Sequence, residues 1–325
     1  MRILVTGASG FIGSHVAQRL VAGGHEVIGT GRDVGRLALV AQAGCKTVAV
    51  DLAADDLMAL VEGCHAVVHC AARASPWGER SLFWRDNVTA TERLVSAAQL
   101  CGTVRRFVFV SSPSIYFLPQ DQLQLTEAFT PPRRWQTPYA ETKWVAESRV
   151  LAASQIGPVA VRPRAVFGPR DAVIVPRLVA VARSGFFPLP GVGAAWTDVT
   201  YIDNVVDAIE LALASGSEIV GRAFNITNGE PIQVRDLLQR LFGALGLAPM
   251  FVSIPRGLAL TLAAMSERIA RLRPGQAEPR LTRYGIGLLG YSQTLSIAAA
   301  RQSLGYSPKI SIDEGIARYA SWCAR

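Results

Sequence analysis

Apolar runs of strand length recur along this chain, separated by segments whose apolar residues fall at helical spacing. The first is Arg-Ile-Leu-Val-Thr at 2–6, and others follow at 25–30, 46–50, 66–69, 106–111 and 158–162. Between them 14–20, 81–100 and 138–154 read as helices. Continuous apolar runs suit strands covered on both faces, and their alternation with helices predicts an α/β, Rossmann-type doubly wound parallel sheet. Beyond Pro163 prolines and glycines become denser, at 168–171 and 186–191, and the elements shorten. The expected layout is therefore an N-terminal domain over 1–165, to which 196–227 returns, and a smaller lobe made from 166–195 and 228–325. One further pattern stands out in that lobe. Leu258, Leu262, Met265, Ile269 and Leu272 form a stripe at helical spacing, with Arg268, Arg271 and Arg273 off it. Such a stripe reads as packed core or a dimer helix, with peripheral membrane contact as the other reading.

Composition narrows the class. With 325 residues, 50% of them hydrophobic, the chain can bury one large core and a smaller one. No apolar run reaches the length of a membrane span, and the chain begins directly in its first strand, which argues against a secretory signal. Cys45, Cys64, Cys70, Cys101 and Cys323 are scattered, with no C-x-x-C pair and no His/Cys cluster. They are expected to be free thiols in a reducing, cytoplasmic setting, with no metal. The formal charge of +8 suits an anionic cofactor and substrate, and no basic block interleaved with aromatics suggests nucleic acid.

Chemistry enters with the glycines. Gly7, Gly10 and Gly13 stand between the first strand and a helix, where backbone amides and a helix N-terminus can hold a pyrophosphate. Gly7 permits a tight turn, Gly10 lets a phosphate approach, and Gly13 allows close helix–strand packing. The spacing G-x-x-G-x-x-G is one residue wider at its first gap than the commoner dinucleotide fingerprint. At the end of the second strand an acidic residue would bind the adenosine ribose, but this chain has Thr30-Gly31-Arg32. Glycine leaves room for a 2′-phosphate and arginine can pair with it, so NADPH is expected ahead of NADH. The rival reading leaves Arg32 to solvent and gives the ribose to Asp33. Asp51, ending the third strand, suits the adenine amino group.

A second motif supplies an acid–base group. Thr137 can cap a helix with Pro138 at its first position, which puts Tyr139 and Lys143 one turn apart on one face. A phenol with a reference pKa near ~10 is a poor acid–base group at neutral pH, and a nearby ammonium would lower it. Lys143 would also hydrogen-bond the nicotinamide ribose, and Tyr139 would protonate a developing alkoxide or deprotonate an alcohol. Phe107-Val-Phe-Val-Ser-Ser112-Pro-Ser114 is a strand ending in hydroxyls at the carboxyl edge of the sheet, where ligands bind. Ser112 is expected to hold the substrate oxygen, with Ser111 and Ser114 as rivals.

These motifs, with His69-Cys-Ala-Ala72, Asp86-Asn-Val-Thr-Ala-Thr91, Arg162-Pro-Arg-Ala-Val-Phe-Gly168, Thr200-Tyr-Ile-Asp-Asn204 and Phe224-Asn-Ile-Thr-Asn-Gly-Glu-Pro231, resemble the extended short-chain dehydrogenases/reductases nearly end to end. The chain is most similar to their 3β-hydroxysteroid dehydrogenase branch and its bacterial relatives that reduce 2-alkyl-3-oxo acids. Trp77-Gly78, Ser112-Pro-Ser114, Val175-Pro-Arg-Leu178, Leu281-Thr-Arg283 and Leu304-Gly-Tyr-Ser-Pro308 carry that narrower likeness. The resemblance implies a catalytic set of Ser112, Tyr139 and Lys143, supported by Asn87. It implies that Ser9, Phe11, Ile12, Leu52, Ala71 and Ala72 join the cofactor site, with Pro163 and Val166 at the nicotinamide end. A homodimer is common in such relatives.

Two departures bear on function. Ala90 replaces a common glycine, and Ile115-Tyr-Phe117 replaces the Val-Tyr-Gly of sugar-nucleotide members. Pro113 and Ser114 stand where dehydratases need an Asp-Glu pair, which argues against water elimination. A nucleotide-sugar epimerase and a cofactor-sensing regulator without turnover are the competing readings. The expected activity is NADPH-dependent reduction of a hydrophobic ketone, a long-chain 2-alkyl-3-oxo acid first and a 3-ketosteroid second. Phe117, Leu118, Leu123, Leu125, Phe129, Trp135, Phe186, Phe187 and Trp196 offer apolar surface for such a substrate. Arg133, Arg134, Arg164 and Arg170 are candidates for a carboxylate, each expected to be solvated at the surface.

Overall fold

Seven strands, all parallel, form the central sheet in the order Arg222–Ile226, Pro158–Pro163, Arg106–Val110, Ala66–His69, Arg2–Thr6, Glu26–Gly31, Lys46–Ala49. The computed structural model describes residues 1–132, 134–272, 277–279 and 281–324. Arg133 and Arg273, named above, lie outside them.

Period-two alternation assigns each strand's side chains to one of two cores. Ile3, Val5, Val108, Val110, Val159 and Val161 join Val16, Leu20, Val205 and Ile209 on one face, from the helices Phe11–Ala22 and Ile202–Ala214. Leu4, Val67, Phe107, Phe109 and Ala160 join Leu94, Ala98, Ala146 and Val150 on the other, from the helices Ala90–Cys101 and Pro138–Ala152. Both faces are dry, which is why the strands read as continuous apolar runs. Each fully buried aliphatic or aromatic side chain contributes roughly 1.5–3 kcal/mol, enough to fix register on both sides.

The chain runs outward from Arg2–Thr6 through two strands, then crosses back to Ala66–His69 on the other side. That reversal opens a crevice beyond the carboxyl ends of these two strands, where α/β sheets bind ligands. A smaller layer stands beside it. Its four-stranded sheet runs Ile232–Gln233, Trp196–Thr197, Gln293–Leu295, Gln122–Leu125, and Phe186–Pro190 pairs in parallel with Met250–Ile254. Segment 196–227 is thus divided, with Trp196–Thr197 in the small sheet and Arg222–Ile226 closing the large one.

Two expectations change. The stretch 81–100 is not one helix: Arg80–Phe83 is α-helical, Trp84–Thr89 widens to a π-helix, and Ala90–Cys101 resumes the α-helix. The apolar stripe on Arg256–Leu272 is not packed core either. Leu258, Leu262, Met265, Ile269 and Leu272 are all exposed, because the helix turns Ala259, Ala263, Glu267 and Ala270 inward. Small residues there allow close approach to the helix Arg283–Gly290, with Glu267 accepting from the Arg283 amide (2.7 Å) and Nε (2.9 Å). Among the described residues no helix is long and apolar enough to cross a membrane.

Candidate active site

The glycine turn fills the mouth of the crevice. Gly7 has φ +67°, and a Cβ there would stand 2.7 Å from the Ala71 nitrogen, so only glycine lets the turn cross the end of the fourth strand. Thr6 Oγ1 accepts from the Ala71 amide (3.2 Å) and bonds His69 Nδ1 (2.6 Å), whose Nε2 bonds Thr91 Oγ1 (2.9 Å). Burial pushes His69 down to about 3, so the ring is a neutral bridge between two strands and a helix rather than an acid or base. The helix Phe11–Ala22 begins at Gly10 with no side-chain cap, leaving its first amides to a ligand; Phe11, Ile12 and Gly13 form that first turn.

A cavity of about 170 Å³ follows, lined by eight of the positions expected to hold cofactor: Gly7, Ser9, Gly10, Arg32, Asp51, Leu52, Ala71 and Ala72. Gly31 lines it as well, and a Cβ on it would stand 2.2 Å from Ser9 Oγ, which explains a small residue at this strand end. A glycine-lined cleft at a bare helix N-terminus fits a dinucleotide.

At the far end of this cleft Arg32 and Asp51, both expected there, meet three charges that sequence reasoning missed: Arg73, Arg85 and Asp86. Asp86 is buried and faces three arginines: Arg73 at 2.8 Å, Arg85 at 2.9 Å and Arg32 at 3.4 Å. Arg85 also pairs with Asp51, and that bond holds the Asp51 carboxyl below its usual value. Asp33, the rival for the ribose, instead caps the helix Val34–Ala41 by accepting from the Arg36 amide (3.0 Å). The sequence signal for this cluster was faint: three arginines and two carboxylates come from four separate segments.

The proposed acid–base group stands on the helix Pro138–Ala152, whose Thr142 bonds Asn87. Thr137 caps Pro138–Ala152 by accepting from the Ala140 amide (3.1 Å), with Pro138 at the first position, so the helix starts just before Tyr139. Ser112 leaves the strand Arg106–Val110 in extended geometry and caps the 3₁₀ turn Pro113–Tyr116, accepting from the Ser114 amide (3.2 Å). Burial raises the Tyr139 phenol, and the Ser112 side chain opposes the rise. The Ser111 and Ser114 hydroxyls are buried without partners.

Lys143 corrects an expectation. It was expected to lower the phenol; instead Nζ donates to the Val110 carbonyl (2.6 Å) and lies 3.9 Å from the Phe109 ring centre. Burial dominates at both groups, pushing Lys143 down to about 7 while raising Tyr139. Asn87, on the π-turn, accepts from the Arg73 amide (2.7 Å) and donates to Thr142 Oγ1 (3.0 Å), which ties the loop after Ala72 to the tyrosine helix. Pro163 ends its strand and Val166 begins the short strand Val166–Phe167, with Ala165 between them at φ +43°. Such a backbone is costly for a residue with a Cβ and clusters at functional sites.

A model of the NAD dependent epimerase/dehydratase family matches residues 3–227. The chain belongs to that family. The family's nicotinamide-dependent oxidoreductase chemistry on the CH–OH/C=O pair is this chain's activity class, and the resemblance to extended short-chain dehydrogenases/reductases holds along its length. The 2-alkyl-3-oxoalkanoate reductase of Stenotrophomonas maltophilia is 36% identical, covering 98% of each chain. The mouse sterol-4-alpha-carboxylate 3-dehydrogenase, decarboxylating, is 30% identical over 97% of this chain and 88% of its own. UDP-glucuronic acid 4-epimerase from Bacillus cereus, solved with NAD, has a TM-score of 0.78 at 23% identity, covering 100% of this chain and 99% of that one. That likeness shows the fold of the epimerase/dehydratase family. Within it, the described residues of this member hold no group of three or more His, Cys, Asp or Glu placed to bind a metal, and all five cysteines are free.

Proposed function

We propose that this enzyme uses NADPH to reduce a long-chain 2-alkyl-3-oxo acid to the secondary alcohol. The observation that carries the reading is the Tyr139 phenol, raised by burial and therefore protonated at neutral pH, on the helix that Asn87 ties to the loop after Ala72. A protonated donor suits reduction, in which charge develops on the carbonyl oxygen. Ser112 would orient that oxygen and Tyr139 would protonate it. Lys143 uses one of its three N–H donors on Val110; another would reach the nicotinamide ribose. Asn87 would act through Thr142 by holding the tyrosine helix in place.

A bound nicotinamide dinucleotide would supply hydride to the carbonyl carbon. Gly7, Ser9 and Gly10, with the first turn Phe11-Ile12-Gly13, would hold its phosphates. Asp51 and Leu52 would flank the adenine, Ala71 and Ala72 the middle of the cleft, and Pro163 and Val166 the nicotinamide end. The choice of NADPH rests on Arg32. Arg73 and Arg85 already neutralise Asp86 at shorter range, while the Arg32 side chain is 56% exposed and makes only long contacts. It is the guanidinium available to a 2′-phosphate. Arg32→Ala should weaken NADPH binding about 10- to 100-fold and NADH binding by less than about threefold. Equal losses would contradict the cofactor assignment.

The substrate reading draws on the reductase and the sterol dehydrogenase named above, whose names both place a carboxylate on the carbon beside the reacting one. Purified enzyme with NADPH should oxidise it rapidly with a long-chain 2-alkyl-3-oxo acid and slowly with a 3-ketosteroid. The reverse preference would favour the steroid reading.

A further inference from the structure

Two arginines two residues apart enter the interior beside the proposed catalytic strand end, and only one meets a carboxylate there. Arg162 is paired with Glu147 and donates to the Tyr116 hydroxyl, so its charge is neutralised on the spot. Arg164 is 5% exposed and contradicts the expectation of a solvated surface residue. Its guanidinium donates to Gln293 Oε1 and to Thr197 Oγ1 (3.3 Å), both neutral, and its Nε is buried with no partner. Among the described residues no carboxylate lies within ion-pair distance of it. Asp198 acts on it through space, but one oxygen of that carboxylate accepts from the Leu295 amide (2.7 Å) and burial raises the group to about 6. A buried guanidinium with an idle donor and no carboxylate in direct contact is costly unless a ligand completes it.

The strand register says where this cation faces. Val110 pairs with Val161, and the Ser111 amide donates to the Val161 carbonyl (2.7 Å). Ser112 and Arg164 therefore leave the carboxyl edges of adjacent parallel strands. The 3₁₀ turn that Ser112 caps ends at Phe117, whose ring packs edge-on against Tyr284 (5.0 Å). Burial raises the Tyr284 phenol, and both Arg164 and Tyr139 act on it electrostatically.

We propose that Arg164 binds the substrate's carboxylate and selects acids that carry it on the carbon next to the carbonyl. The inference rests on the ketone-reductase reading. Ser112 takes the carbonyl oxygen, and a neighbouring edge residue then meets a group one carbon away. Gln293 and Thr197 hold the guanidinium in place, and an anion completes its donor set by charge-assisted hydrogen bonds.

The test compares a long-chain 2-alkyl-3-hydroxy acid with its methyl ester, by calorimetric binding to cofactor-loaded enzyme, beside turnover of the matching oxo acid. The wild type should bind the acid about 100-fold more tightly than the ester, and Arg164→Gln should bring that ratio to within about threefold of one. Arg164→Lys, which keeps the charge but not the planar fork, should recover part of the preference. A wild type that does not distinguish acid from ester overturns the proposal, whether or not the variants fold. So does an Arg164→Gln protein that keeps the full ratio. Preference for the acid without turnover of the oxo acid would instead sink the reductase reading and leave the carboxylate site standing.

Discussion

Lys143 meets opposing demands: the proposed chemistry wants an ammonium beside Tyr139, and its surroundings are apolar. Burial pushes it to about 7 from an ordinary 10.5, with Glu147 one turn along opposing the shift. The unfolded chain therefore keeps this proton at pH values between the two, where the folded chain has released it, and stability rises with pH across that window. Lys143→Met should accordingly be more stable than wild type below about pH 7, with the advantage shrinking towards about pH 10. Thermal denaturation across that range checks the sign, and an advantage that grows with pH would contradict it. Tyr139, Lys143 and Ser112 were legible because a cap, a proline and a strand end are local signals. The direction of the phenol's shift was not, since burial is a property of the packed molecule. The same holds for Arg164, whose neighbours Thr197 and Gln293 are far away in sequence, and for the Asp86 cluster.

Helical periodicity was a good guide to where elements lie and a poor one to how they turn. In 81–100 the apolar spacing survives a π-turn, which inserts a wider turn without interrupting the run, so the break is invisible in the sequence. The turn matters because it carries both Asp86 and Asn87. On Arg256–Leu272 the stripe was read correctly as one face, but alanines on another face make the intramolecular contact. Leu262→Glu should therefore change unfolding free energy by less than about 0.5 kcal/mol in urea titrations at low protein concentration. A loss above about 2 kcal/mol would mean that this face is covered in solution.

At the scale of the whole molecule, the two dry faces of the large sheet are written in the apolar runs, which predict a doubly wound parallel sheet. The short strands of the smaller layer were not legible. Gln122–Leu125 joins Gln293–Leu295 through partners far along the chain, and two- or three-residue strands carry no periodicity. Asn204 shows the same limit. Its side chain accepts from the Lys309 and Ile310 amides (3.0 and 3.1 Å) and donates to the Ile310 carbonyl (2.8 Å), pinning a distant segment beside the sheet. The central claim is that these elements converge to let Tyr139 protonate a reduced carbonyl. It is tested most directly by nicotinamide absorbance for wild type and Tyr139→Phe with NADPH and a long-chain 2-alkyl-3-oxo acid. The account predicts rapid oxidation by the wild type, and about 10²–10⁴-fold slower turnover by the variant at NADPH affinity unchanged within a few fold. Turnover by Tyr139→Phe at the wild-type rate would contradict it.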